Sequence, residues 1–66
     1  MSVAKVIEIT ADSKVGFDDA VKTGIRKANE TVSNIKSAWV ASHEVHVEKG
    51  EVTGYRVHLK VTFVLK

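Results

Sequence analysis

The sequence predicts an α+β fold in the order β-α-β-β, with one helix laid on a three-stranded antiparallel sheet, and three observations carry that prediction. A short stretch rich in β-branched residues opens the chain. A run with apolar residues at intervals of three and four follows it, and two long segments then flank a turn that contains Gly50. With 66 residues the chain is read as a single domain, residues 1–66. A core of this size is marginal, and small scaffolds normally add disulfides, a metal or partner subunits. There is no cysteine, which excludes disulfides, thiolate zinc sites and thiol nucleophiles and leaves oligomerisation as the expected supplement.

Val3 to Thr10, "VAKVIEIT", is short and β-branched, which suits a strand. Its apolar residues fall on both parities, so both faces are expected to be partly covered. Gly16 is read as an N-cap, with Asp18 and Asp19 in the first turn, where carboxylates favour the positive end of the helix dipole. Phe17, Ala20, Val21, Gly24, Ile25, Ala28, Val32 and Ile35 then form one stripe, predicting an amphipathic helix of about five turns. Its glycine and alanines allow a close approach to a sheet.

Ala38 to Val47 and Val52 to Leu65 are read as a hairpin closed at Lys49 and Gly50. Counting back from Glu48 opposite Glu51 sets Ser42 against Val57, Val40 against Leu59 and Ala38 against Val61, all on the helix-covered face. The same count sets His43 against Arg56, Ala41 against His58 and Trp39 against Lys60, on the face away from the helix. One helix covers one face of such a sheet. The other, carrying Trp39, His43, Val45, Val47, Arg56 and His58, is too aromatic and branched to stay in water, so a subunit partner or a ligand is expected there.

Ten Lys and Arg against eight Asp and Glu, interspersed along the chain, leave no nucleic-acid footprint. "MSVAKVIEIT" does not resemble a signal peptide, and no apolar stretch has the length of a bilayer span. A cytoplasmic protein with neither nucleic-acid nor membrane partners is expected. Catalysis has little support. The close carboxylate pairs Asp18–Asp19 and Glu48–Glu51 are explained by capping and a turn, the serines lack a nucleophile elbow, and the four glycines are scattered. His43 and His58 share a face on this register, but the usual zinc ligand sets are absent, and polar positions on exposed strands account for the histidines. Trp39 beside Arg56, His43 and Lys60 is the constellation with recognition character, since an indole stacks and a guanidinium forks onto phosphate or carboxylate. Packing of Trp39 at a subunit interface stands beside that reading.

The element order together with "GFDDAV", "ANETVSNIKSAWV" and "GYRVHLKVTFVLK" resembles the dodecin family over nearly the whole chain. The resemblance implies a curved antiparallel sheet wrapped round one helix, twelve copies of which form a hollow homododecamer. It also implies a non-catalytic small-molecule role: many members store flavins, riboflavin or FMN, each ring stacked between a tryptophan and a glutamine of symmetry-related subunits. Aligned without gaps, those two positions fall on Ser37 and Arg56. A basic helix position that often contacts the flavin side chain falls on Lys27, its neighbouring threonine is Thr31, and a basic residue common in the hairpin is replaced by Glu44. Trp39 lies two residues beyond the family's tryptophan, on the same face and roughly 6.5 to 7 Å along the strand. The expected ligand-lining set is Ser37, Trp39, Arg56, Lys27, Thr31 and His43. The missing pair is also similar to a branch described as calcium-binding, so a shell that takes calcium or magnesium, or another anionic ligand near Arg56, is the alternative expectation.

Overall fold

The computed structural model describes residues 3–65. Strand β1 (Val3–Ser13) is followed by helix α1 (Phe17–Ala28) and by strands β2 (Ile35–Glu48) and β3 (Glu51–Leu65). The three strands form one antiparallel sheet in the order β1-β3-β2. The helix lies against β1 and β3, so the predicted β-α-β-β fold is the observed one.

β3 is the central strand, and its alternation fixes the core. Val57, Leu59 and Val61 are fully buried with Ala20 of the helix, and Ile7, Ile9, Ala11, Phe17, Val21, Ile25 and Ile35 pack around them. At Gly24 helix and sheet approach closely: an added Cβ would stand 2.9 Å from the Cβ of Ala11. The small-residue stripe is what permits this contact.

The helix starts where the sequence places it but is shorter than five turns. Its spacing pattern continues through Val32 and Ile35, yet the helical bonds tighten into a turn over Asn29 to Val32, and Asn34 adopts a left-handed φ of 64°. Asparagine tolerates that conformation, whereas the β-branched Thr31 and Val32 are weak helix formers. The Val64 amide then donates to the Asn34 carbonyl, which hands the chain to the sheet. Ile35 still meets the core, but as the first residue of β2.

At the other end of the helix, Gly16 is the N-cap residue but its own geometry contributes no side-chain bond. Ser13, at the end of β1, does that work. Its hydroxyl accepts from the amides of Val15 and Gly16 and donates to Asp19 at 2.7 Å. β1 therefore runs three residues further than its β-branched stretch, because Ala11, Asp12 and Ser13 all pair with β3.

The hairpin turn is the predicted one: Glu48 faces Glu51, and Lys49 and Gly50 both take positive φ, 52° and 78°. Beyond it the register departs from the simple count. β3 carries an extra residue, Thr53, between the pairs His46–Gly54 and Val47–Val52, and β2 carries an extra residue, Ala41, between Val40–Leu59 and Ser42–His58. The two bulges offset each other. The count is correct at Trp39–Lys60, Val40–Leu59 and Ala38–Val61 and one residue out between Ser42 and His46. His43 is therefore opposite Val57, not Arg56, and turns to the helix-covered face. Val45 follows it, opposite Tyr55. Among the described residues no helix is long and apolar enough to cross a membrane.

Candidate ligand-binding face

The sheet face away from the helix is built in rows across β1, β3 and β2. Glu8, Lys60 and Trp39 form one row, Thr10, His58 and Ser42 the next, and Asp12, Arg56 and Glu44 a third. His46 lies opposite Gly54, with its ring 3.2 Å from where a Cβ on that glycine would be.

The third row is a belt of charge. Arg56 donates to both carboxylate oxygens of Asp12, at 2.7 and 3.3 Å, and its other side lies 4.0 Å from Glu44. Glu44 also receives His58 Nε2 at 3.2 Å, while His46 Nε2 stands 3.8 Å from Asp12. The Arg56 hydrogen bonds hold the Asp12 carboxyl below its ordinary range and outweigh the opposing effect of burial, and Asp12 in turn raises Arg56. This guanidinium already has its carboxylates.

The first row is less committed. Trp39 is 67% exposed, and the Lys60 ammonium lies over its ring, 5.2 Å from the centroid. Lys60 has one further ionic contact, to Glu8 at 3.9 Å. The Ala41 bulge opens a hollow of about 160 Å³ beside it, lined by Glu8, Thr10, Ala41, His58 and Lys60. Ser37, opposite Thr62, lies on the same face as Trp39.

Three of the six expected residues, Ser37, Trp39 and Arg56, thus share this face, with Arg56 four residues along β3 from the partner of Trp39, about 13 Å away. The other three lie across the sheet. His43 lies against Phe17 with ring centroids 4.6 Å apart and ring planes tilted by 45°, the Ala41 and Thr53 bulges having reversed the face expected for it. Lys27 and Thr31 line a groove of about 480 Å³ between α1 and β1, with Ile9, Ala11, Gly24 and Ala28. Lys27 pairs with Glu30 at 3.3 Å, and the Thr31 hydroxyl donates to the Ala28 carbonyl. One chain does not bring these two sets together.

The sequence reading missed Asp12, which holds Arg56. Its signal is non-local: Asp12 lies outside the β-branched stretch, and only pairing with β3 carries it onto the sheet. Among the described residues no three His, Asp or Glu side chains are placed to hold one metal ion.

Comparison with known proteins gives consistent matches. The Dodecin family profile matches residues 3–66. Calcium dodecin of Mycobacterium tuberculosis is 30% identical over 66 residues, covering all of this chain and 93% of that protein. Its crystal structure, described as a calcium-chelating antigen with a novel calcium-binding site, superposes with a TM-score of 0.84 over 98% of this chain and 93% of that one. Dodecin from Streptomyces davaonensis, 28% identical, superposes with a TM-score of 0.93 over 98% of this chain and 96% of that one. A Thermus thermophilus dodecin, 24% identical, shares the fold with a TM-score of 0.93, over 100% of this chain and 97% of that one.

Proposed function

The chain belongs to the dodecin family, and from that premise we propose that it is a non-catalytic, homododecameric binding or storage protein for a flavin, riboflavin or FMN, or a related planar aromatic ligand. The observation that carries this reading is Trp39, a largely exposed indole on a sheet face that no element of its own chain covers. An indole in that position offers a flat apolar surface for stacking, and Ser37 beside it leaves room where the resemblance puts a second ring in other members. Lys27, Thr31 and His43 are on the opposite side of the sheet, so in this reading any part they take in a ligand site is played toward a neighbouring subunit. Titration of riboflavin and FMN with the protein, followed by flavin emission, tests it. Quenching that saturates at micromolar protein and is lost in W39A is the expected result; full emission throughout removes flavin storage.

The second reading is a shell that binds calcium or another divalent cation, favoured by the 30% identity to a calcium dodecin. Asp12 and Glu44 already serve Arg56 within the chain, so this reading requires carboxylates from several subunits to meet around a symmetry axis. Melting measured in calcium, in magnesium and in EDTA distinguishes it: a bound structural cation raises the melting temperature over EDTA, and equal values in all three count against it.

A further inference from the structure

The cations on the open sheet face differ in how far their charge is already used. Arg56 is held by two hydrogen bonds to Asp12 and flanked by Glu44, so its field toward solvent is largely cancelled. Lys60 has a single ionic contact, with Glu8 at 3.9 Å, and the Glu8 side chain is 76% exposed. A pair that loose contributes little and is readily exchanged for another anion. The Lys60 ammonium also stands over the Trp39 ring and lines the hollow opened by the Ala41 bulge, beside the Thr10 hydroxyl side and His58. A stacking surface, a loosely paired cation on a long stem and a small hollow are thus adjacent, two strands wide. Arg56, the other cation on this face, is two rows away and already paired.

We propose that this face selects planar aromatic ligands that carry an anionic group, and that Lys60, not Arg56, receives the anion. The proposal rests on the reading of Trp39 as the stacking surface. A ring lying on the indole places a short anionic substituent within reach of Lys60, which exchanges Glu8 for it, while the hollow takes up the substituent and its water. Displacing Asp12 from Arg56 would instead break a bidentate, charge-assisted pair to no gain. Arg56 bridges Asp12 of β1 and Glu44 of β2 and sits outside the ligand.

Trp39 is the sole tryptophan, so its emission reports this neighbourhood without a bound ligand. Stern–Volmer quenching by potassium iodide, divided by quenching with neutral acrylamide, measures how strongly local charge attracts an anion to the indole. The ratio is expected to fall by roughly a factor of two in K60Q and to hold in R56Q, which removes the same net charge. An equal fall in the two variants, no fall in K60Q, or an indole that neither reagent reaches overturns the proposal. A second arm compares FMN with riboflavin by flavin emission: preference for the phosphorylated flavin is expected in the unaltered protein and in R56Q and is lost in K60Q. If preference is retained in K60Q, the assignment to Lys60 is overturned while the stacking reading stands. If neither flavin binds, flavin storage fails and the iodide ratio still decides whether Lys60 draws anions to the indole.

Discussion

On an isolated strand Arg56 would be a solvated cation available to any anion; on this sheet it stands between Asp12 of β1 and Glu44 of β2. The pair with Asp12 is linked to pH. Because the folded-state Asp12 carboxyl is held by Arg56 below its ordinary range, the stability it contributes is present above about pH 4 and is lost as the pH falls through the lowered value. D12N should therefore melt below the unaltered protein at pH 7, and the difference should narrow at about pH 2.5, as the Asp12 carboxyl begins to take up its proton. A gap of the same size at both pH values would mean that the loss comes from packing and not from charge. Ser13 works at the same scale. It is nearly buried, and one hydroxyl satisfies two amides and one carboxylate where the strand hands over to the helix.

At the scale of elements, the helix is fixed to the sheet by what it lacks at position 24. In G24A the new Cβ would stand 2.9 Å from Ala11. Overpacking of that kind costs about 1–3 kcal/mol, against a gain of about 1 kcal/mol in helix propensity over glycine. G24A is expected to melt lower than the unaltered protein, and A11G/G24A to melt higher than the two single changes predict when summed. Strict additivity would separate the two sites and refute the close approach as the cause. The stripe that contains Gly24 was legible in the sequence, and so was the hairpin turn, since periodicity and left-handed Lys49–Gly50 chemistry are local. The helix end was not. Val32 and Ile35 fit the helical spacing as well as they fit a strand, and the choice is made by Asn34 and its bond to Val64. β1 was likewise underread by three residues whose strand character comes from their partners on β3.

The whole molecule is long and thin, 51 × 19 × 14 Å, because strands of 14 and 15 residues run far beyond a helix of 12. Val47 and Val52 on the projecting hairpin are more than half exposed, as are Val3 and Val6 at the other end and Trp39 between them. The outer edges of β1 and β2 have no strand beside them among the described residues. Long open edges and apolar side chains in this density are characteristic of a subunit surface. Light scattering is expected to give a mass near twelve times the 7.2 kDa chain; a mass of one or two chains would reject the shell. W39A should keep that mass while losing the ligand, which separates the indole as a stacking surface from the indole as an interface residue.

By itself the sequence determined the kinds of element and their order, the turn at Lys49–Gly50, the buried face of β3 and the exposure of Trp39 opposite Lys60. These follow from alternation, spacing and backbone preference, which are written within a few residues of one another. Tertiary structure alone decided that His43 lies under Phe17 and that Glu44 and Asp12 hold Arg56. Each depends on the bulges at Ala41 and Thr53 and on the pairing of β1 with β3. A bulge is a mismatch between two strands, so neither strand's own pattern records it.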